Sequence, residues 1–279
     1  MRIRIRHETR YAYATPAKAI IQMLRLTPRS HDGQHIVDWR VDVDVDCRLV
    51  RRDDAFGNVC HMFTAQGALD AVSVVVTGEI ESFDTFGIVR GAAERFPPEL
   101  YMRDTPLTHA CAALRDFAAA EGARGKPPID ALHDLMGALH AAIAFDPAAT
   151  ASTTTAAEAF AQKRGVCQDF AHIFVACARS LGFPARFVSG YFLRDDVVDQ
   201  AAGHAWAEVH IADLGWVGFD PANCICPREG HARVAAGPDY LHAAPVRGAF
   251  TGGAGETMSV AVRVAQTGGV TQSQSQSQS

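Results

Sequence analysis

The sequence predicts an α+β fold, in which a β-rich N-terminal region is followed by helices and then by antiparallel strands. Three observations lead to this prediction. Apolar and polar residues alternate through much of residues 1–95, apolar residues recur at helical spacing between residues 107 and 181, and alternation returns after residue 186. Because a period of two is typical of strands and a period near 3.6 is typical of helices, the pattern predicts the order of the elements.

The composition is that of a folded globular protein rather than a disordered or fibrous one. The chain has 279 residues, of which 48% are hydrophobic and 20% are charged. Its formal net charge of −5 argues against nucleic-acid binding, which needs a basic surface. The sequence also lacks the apolar run of about 18–20 residues that crosses a bilayer. We therefore expect neither nucleic acid nor a membrane among its partners.

The N-terminus and the cysteines together predict a cytoplasmic protein with free thiols. Residues 1–13 are rich in arginine and contain no continuous apolar segment, so they do not resemble a secretory signal. The seven cysteines are an odd number without regular spacing, which in a reducing compartment favours free thiols over a disulfide framework.

Strand signals dominate the first predicted unit, residues 1–95. Arginine alternates with isoleucine over residues 2–6, valine alternates with aspartate over residues 41–46, and residues 71–80 are rich in valine. We expect this region to form a β-rich N-terminal domain.

The second predicted unit, residues 96–268, begins with a proline-rich linker and continues with helices. Helical spacing or capping signals occur in three segments, residues 107–121, 129–143 and 152–160. One more strand is predicted at residues 258–264, and we assign it to this second unit. Residues 269–279 contain a Gln/Ser repeat, which predicts a disordered tail.

A cysteine lies at the start of the next predicted helix. Gly165 can turn the chain sharply, and apolar residues then recur at helical spacing as far as Leu181, before Gly182 and Pro184 end the helix. Cys167 therefore falls in the first turn, where unpaired N–H groups and the positive end of the helix dipole stabilise a thiolate. The alternative interpretation is a small, buried core residue.

A predicted β-hairpin follows, and its register decides which side chain lies near His204. If the loop has three residues, Ile211 pairs with Gly215. Asp220 then becomes a same-face diagonal neighbour of His204, at about 7–8 Å between backbone positions. A two-residue loop would instead place Asn223 opposite His204. We favour Asp220, because Gly215 suits the bulge that accompanies three-residue hairpin loops, and we keep Asn223 as the alternative.

Cys167, His204 and Asp220 occur in an order and setting that suit nucleophilic catalysis. A catalytic cysteine needs a base beside its thiol and a third group that orients the imidazole of that base. These three residues supply the thiol, the imidazole and the carboxylate, and they are the predicted catalytic residues.

Three sequence blocks agree in order and spacing with a known family. They are GVCQDFAHIFVACARSLGFPARFVSGYF from residue 165, GHAWAEVHI from residue 203 and GWVGFDPAN from residue 215. Over roughly residues 150–225 the chain resembles the bacterial transglutaminase-like superfamily, which has a papain-like fold. The β-rich first ninety or so residues also resemble the N-terminal domain that precedes this core in many bacterial members.

The resemblance implies a papain-like core, with helices packed on an antiparallel sheet, and a Cys-His-Asp triad. The cysteine of GVCQDF is Cys167, the histidine of HAW is His204 and the aspartate of GFDP is Asp220. The implied activity is thiol-dependent acyl transfer on amide bonds through a thioester. It ends either in hydrolysis, as in a cysteine peptidase or amidase, or in transamidation of glutamine side chains. The expected partners are a protein or peptide amide and, for transamidation, an amine acceptor.

The oxyanion of this reaction needs two hydrogen-bond donors. The backbone N–H of Cys167 is one candidate, and Gln162 and Gln168 are candidates for the second. We expect no metal ion and no organic cofactor, because this chemistry requires neither.

Three aromatic residues, Trp206, Tyr191 and Trp216, are predicted to wall a substrate-binding groove, although aromatic residues on a half-buried sheet are equally typical of a core. A papain-like fold that binds peptides or assembles without catalysis is the alternative to the enzyme. Soft metal ligands occur in two clusters, Cys224, Cys226 and His231, and Cys60 and His61. Their spacing matches no usual zinc pattern, so we do not favour a metal site.

Overall fold

The computed structural model describes residues 1–122 and 125–267, so the predicted tail at residues 269–279 lies outside the described residues. The strands, in chain order, are β1 (Arg2–Thr27), β2 (Gln34–Val43), β3 (Val50–Asp53), β4 (Val59–Ser82), β5 (Ile88–Val89), β6 (Ala144–Phe145), β7 (Arg164–Gly165), β8 (Ala185–Phe192), β9 (Asp199–Gln200), β10 (His204–Ile211), β11 (Gly215–Phe219), β12 (His231–Gly237), β13 (Val246–Thr251) and β14 (Ala254–Gln266). The helices are α1 (Ala112–Glu121), α2 (Pro128–Ala142), α3 (Ala156–Gln162), α4 (Cys167–Ser180) and α5 (Tyr240–Ala243), with a 3-10 helix at Pro98–Met102.

The strands form two large antiparallel sheets. The N-terminal sheet has the order β2-β4-β1-β14-β9, with β13 beside β1 and β3 beside β4. The second sheet, which we call the core sheet, has the order β12-β8-β10-β11-β5. Strands β6 and β7 form a short parallel pair just before α4. The predicted α+β class is therefore present as a β-rich region and a helix-covered antiparallel sheet.

The N-terminal sheet follows from the alternation in β1. Ile3 and Ile5 are fully buried, and the arginines between and beside them are exposed. On one side β1 pairs with β4, and on the other it pairs with β14, where Ile5 lies opposite Val264. The last strand therefore belongs to the N-terminal sheet and not, as the sequence led us to expect, to the second unit. Its buried Val262 and Val264 share a hydrophobic cluster with Ile3 and Ile5, and this burial explains the placement.

The proline-rich segment after residue 96 is packed rather than extended as a linker. Within its 3-10 helix, Tyr101 is buried, and its ring lies edge-on to Trp216 with the ring centroids 5.2 Å apart. The next helix, α1, begins at Ala112, five residues later than the start predicted from helical spacing. Before it, the hydroxyls of Thr105 and Thr108 are 2.8 Å apart and stabilise a turn.

Helix α4 is the centre of the helical layer. It contacts α1, α2 and α3 on one side and the core-sheet strands β8 and β10 on the other. Every residue from Asp169 to Arg179 is buried. Because α4 is enclosed in this way, its first turn has a fixed position relative to the end of β10. Within the described residues, no helix is long and apolar enough to span a membrane.

Candidate active site

Cys167 is the first residue of α4, as the glycine and the helical spacing predicted. Its side chain is only partly buried, whereas the helix behind it is enclosed. The first N–H groups of a helix have no partner within the helix. The backbone N–H of Cys167 therefore lies where it can donate to an oxyanion that forms at the thiol.

A buried carboxylate holds the turn that carries Cys167. Oδ2 of Asp169 accepts hydrogen bonds from the backbone N–H of Val166 at 2.8 Å and from the hydroxyl of Thr150 at 2.6 Å. Burial raises the pKa of Asp169, and these hydrogen bonds oppose that rise. A side chain at Gly165 would place its Cβ 2.6 Å from Oδ2 of Asp169, so the glycine is required for this close approach.

His204 begins strand β10, and the predicted hairpin register is confirmed. Ile211 pairs with Gly215, which has a positive φ of 83°, so the strand after the turn runs back towards His204. Asp220 follows directly at the end of β11. Nε2 of His204 lies 2.6 Å from Oδ2 of Asp220. The choice of Asp220 over Asn223 as the direct partner of His204 therefore agrees with the structure.

Asn223 nevertheless belongs to the same group of side chains. Its amide nitrogen donates to Oδ2 of Asp220 at 2.8 Å and lies 3.3 Å from Nε2 of His204. Its backbone N–H donates to Oδ1 of Asp220 at 3.3 Å. Sequence reasoning treated Asp220 and Asn223 as alternatives, but the turn after β11 brings both of them to His204.

His231 is a member of this group that the sequence did not assign to it. Its Nε2 lies 3.1 Å from Oδ2 of Asp220, the same oxygen that contacts His204. His231 begins β12, which lies on the far side of β8 from β10. Since only the strand order brings it to Asp220, no local signal in the sequence predicts this contact.

The charges around His204 stabilise its protonated form. Burial alone would lower the pKa of His204, but the charge of Asp220, its hydrogen bond and a hydrogen bond with Cys167 raise that pKa to about 10. The pKa of Asp220 is correspondingly well below its usual range: burial opposes this shift, and the charge and hydrogen bonds of the histidines produce it. Because Nε2 of His204 contacts Asp220, Nδ1 is the ring nitrogen left for the thiol.

Two family models match the chain. Residues 116–221 match the model described as the transglutaminase-like superfamily, and residues 3–81 match the bacterial transglutaminase-like N-terminal region. The uncharacterized protein ML0607 of Mycobacterium leprae (strain TN) is 30% identical over 282 residues, which cover 94% of this chain and 98% of that protein.

The chain belongs to the transglutaminase-like superfamily.

Other similar proteins agree with this assignment. The uncharacterized protein Rv2569c of Mycobacterium tuberculosis (strain ATCC 25618 / H37Rv) is 27% identical over 284 residues, which cover 88% of this chain and 87% of that protein. The crystal structure of a "putative cysteine protease" from Cytophaga hutchinsonii superposes with a TM-score of 0.77 and 19% identity, over 95% of this chain and 90% of that one. This likeness concerns the fold, and it confirms the predicted core with a β-rich region before it.

The three aromatic residues predicted to wall a groove are all buried in this transglutaminase-like chain. The hydroxyl of Tyr191 is 2.9 Å from Nδ1 of His7 in the N-terminal sheet. Trp206 packs edge-on against His231, with the ring centroids 5.4 Å apart. Trp216 pairs with His210 at the far end of β10, about 20 Å along the strand from His204. These rings therefore pack within the fold and do not line an open surface beside Cys167.

The two glutamines predicted for the oxyanion differ in position. Gln162 ends α3 and is exposed. Gln168 follows Cys167 directly, and its amide donates to the backbone carbonyl of Ser152 at 3.2 Å. The identity of the second oxyanion donor stays a prediction.

Sequence reasoning also missed a buried ion-pair cluster farther along strand β10. Glu208 accepts hydrogen bonds from Arg186 and from Arg233, each at 2.7 Å, and Arg186 also forms a bidentate pair with Glu94. The guanidinium of Arg186 lies 3.8 Å above the ring of Trp216. Burial would raise the pKa of Glu208, but the two arginines lower it to about 2.

The structure also shows which ligating side chains come together. Among the described residues, the group of three that could hold a metal ion is His204, Asp220 and His231, whose ligating atoms lie within 4.8 Å of one another. The sequence had instead grouped His231 with Cys224 and Cys226. Nε2 of His231 contacts Asp220, Cys224 is exposed, and Sγ of Cys226 lies 4.0 Å from Nε2 of His133, so these three side chains, which the sequence analysis did not favour as a metal site, do not come together.

Proposed function

We propose that this protein catalyses thiol-dependent acyl transfer on amide bonds, with Cys167 as the nucleophile. The observation that carries the proposal is the 2.6 Å contact between Nε2 of His204 and Oδ2 of Asp220, together with the thiol of Cys167, which is among the groups that raise the pKa of His204. A nucleophile, a base in contact with it and a third group that orients the base are the requirements of covalent catalysis by cysteine.

In the proposed reaction, His204 holds the proton of the Cys167 thiol, which gives a thiolate beside an imidazolium. Asp220 stabilises that imidazolium and fixes the ring through Nε2. The thiolate attacks the amide carbonyl, and the resulting oxyanion accepts a hydrogen bond from the backbone N–H of Cys167. As the carbon–nitrogen bond breaks, the imidazolium donates its Nδ1 proton to the leaving amine or ammonia. A thioester then remains on Cys167.

The thioester is released by attack of water or of a primary amine on its carbonyl carbon. Neutral His204 accepts a proton from the attacking group, and the Cys167 sulfur leaves as a thiolate. We propose a peptide or glutamine amide as the acyl donor, and hydrolysis rather than transamidation as the main outcome, because water needs no dedicated binding site. The proposed activity is therefore that of a cysteine peptidase or amidase.

Alkylation by iodoacetamide tests the nucleophile without a known substrate. An ordinary cysteine with a pKa of about 8.5 is protonated near pH 6, whereas a thiolate paired with an imidazolium is not. We expect Cys167 to be labelled near pH 6 faster than Cys224, which is exposed and serves as the control within the same molecule. Peptide mass spectrometry reports each cysteine separately. If Cys167 reacts no faster than Cys224, the inactive peptide-binding module becomes the better interpretation.

Trapping the thioester tests the reaction itself. A peptide library is incubated with the protein, and release of the acyl group by water is compared with release by a fluorescent amine. We expect hydrolysis to exceed amine incorporation, and Cys167→Ser to abolish both while Cys224→Ser leaves both unchanged. Faster amine incorporation would reverse the proposed outcome, and full turnover by Cys167→Ser would exclude the covalent mechanism.

A further inference from the structure

We propose that His231 is a positioning residue that holds Asp220 in the orientation needed by His204. The inference rests on the proposed function, since it concerns the same side chains. Its basis is that Nε2 of His231 and Nε2 of His204 contact one carboxylate oxygen, Oδ2 of Asp220, at 3.1 Å and 2.6 Å.

The contacts of His231 determine its tautomer. The backbone N–H of Arg228 points at Nδ1 of His231 at 3.3 Å. A backbone N–H can only donate, so Nδ1 carries a lone pair and the ring proton lies on Nε2. Nε2 therefore donates to Oδ2 of Asp220. With a proton on Nε2, the ring offers Asp220 a hydrogen bond and presents no lone pair on this nitrogen to a metal ion.

Burial favours the neutral form of His231, and packing restricts its ring. Only 3% of the side chain is exposed, and the ring lies against Phe192 with the centroids 4.3 Å apart. The charged and titratable groups that face it are Asp220, His204 and Arg228. Burial lowers the pKa of His231, although the contact with Asp220 opposes this shift. A neutral ring donates to Asp220 without adding a second positive charge beside His204.

The hydrogen bond from His231 constrains the carboxylate from outside the turn that carries Asp220. Oδ2 of Asp220 receives hydrogen bonds from His204, from His231 and from the amide of Asn223, and Oδ1 receives the backbone N–H of Asn223. Asn223 belongs to the turn that follows Asp220, and so it moves with Asp220. His231 comes from another strand, and it ties the carboxylate to the rest of the core sheet.

Strand β12, which carries His231, is held in turn by the N-terminal sheet. It is an edge strand of the core sheet. The amide of Gln34 bonds both the N–H and the carbonyl of Arg233, at 2.8 and 3.0 Å, and the amide of Asn58 does the same for Ala236, at 2.8 Å each. These two amide clamps replace the hydrogen bonds of a neighbouring strand. The β-rich region therefore contributes to the position of His231.

Two amide substitutions that differ by one methylene test the proposal. In His231→Gln the side-chain amide reaches about as far as Nε2 of the native histidine and can donate to Asp220. In His231→Asn the amide is one methylene shorter, so it reaches only about as far as the native Nδ1. We expect alkylation of Cys167 near pH 6 to fall about tenfold in His231→Asn and to stay within about twofold of wild type in His231→Gln. At about pH 9 the three proteins should react alike, because the thiols are then largely ionised.

The outcomes separate this inference from the proposed function. If wild-type Cys167 is not selectively labelled near pH 6, the proposed function fails and the inference fails with it. If wild-type Cys167 is labelled but His231→Asn reacts at the same rate, or if His231→Gln loses as much as His231→Asn, the inference alone is overturned.

A measurement on the wild-type protein avoids any problem of folding in the variants. In protein labelled with ¹⁵N-histidine, we expect His231 to be a neutral ring with its proton on Nε2 between about pH 7 and 8, because burial lowers its pKa from the ordinary value. Protonation of His231 within this range, or a proton on Nδ1, would refute the inference.

Discussion

Oδ2 of Asp220 lies 2.6 Å from Nε2 of His204, although the two residues are 16 positions apart in the sequence. The register of the β10–β11 hairpin creates this contact, and burial strengthens it because little water screens the pair. The contact accounts for the raised pKa of His204 and, through His204, for the expected reactivity of Cys167.

Replacing the carboxylate should remove the protonated histidine. In Asp220→Asn the charge is lost, and burial then lowers the pKa of His204 below its ordinary value of 6.5. The wild-type labelling rate of Cys167 should change little from about pH 6 to 9, since His204 remains protonated until about pH 10. The Asp220→Asn rate should be at least about tenfold lower near pH 6 and should rise with pH. Equal pH profiles of the labelling rate for the two proteins would contradict this explanation. The labelling rate of Asn223→Ala near pH 6 should lie between those of the wild type and Asp220→Asn.

The capping carboxylate of α4 should affect both stability and reactivity. Asp169→Ala leaves the N–H of Val166 and the hydroxyl of Thr150 without their acceptor, and we expect a loss of about 1–3 kcal/mol in the free energy of unfolding in urea. Cys167 should also react more slowly in this variant, because its turn is no longer fixed. Thr150→Val is the matched control, since it removes one hydrogen bond and keeps the cap. A larger loss for Thr150→Val than for Asp169→Ala would argue against this role.

The ion pairs of Glu208 should make a large contribution to stability. Glu208→Ala leaves Arg186 buried with one partner fewer, and removing one member of a buried pair costs about 3–5 kcal/mol. The side chain of Glu94 is 35% exposed, so Glu94→Ala should lower the free energy of unfolding much less than Glu208→Ala does. Urea unfolding of the two variants measures the difference. Equal losses would show that Glu208 is not the centre of the cluster.

The same residue should produce part of the acid sensitivity of the fold. The pKa of Glu208 is about 2 in the folded protein and about 4.3 in an unfolded chain, so its contribution is present above pH 4.3 and is lost as pH falls towards 2. Glu208→Gln should therefore show a smaller decline of unfolding free energy with falling pH over this interval. A decline as steep as that of the wild type would assign the effect to other carboxylates.

The side-chain amides of Gln34 and Asn58, which clamp β12, should each contribute more to the free energy of unfolding than an exposed glutamine does. Gln34→Ala and Asn58→Ala each remove two hydrogen bonds from the backbone of β12, and we expect each to lose about 1–3 kcal/mol. Gln66→Ala, on the exposed face of β4, should change the unfolding free energy by less than about 0.5 kcal/mol. Thermal and urea unfolding both report this contrast. If the three variants were equally stable, the clamps would not hold the strand.

Local signals in the sequence were sufficient for several of the elements and for part of the candidate site. Alternation predicted β1, and Gly165 predicted where α4 begins and so where Cys167 lies. The glycine in the hairpin turn predicted the pairing of Ile211 with Gly215, from which the position of Asp220 follows. Each of these features depends on residues close in sequence, whose backbone preferences do not need the rest of the chain.

Only the tertiary structure decided which distant segments meet. The last strand joins β1 rather than the core, Trp216 packs on Arg186 rather than beside Cys167, and His231 reaches Asp220 across the sheet. These contacts depend on strand order and on which apolar faces are buried together, and a side chain carries no local mark of a partner that is far away in the sequence. The sequence by itself therefore determined the order of the elements and placed Cys167, His204 and Asp220 on them, whereas folding of the whole chain determined what surrounds and orients these residues.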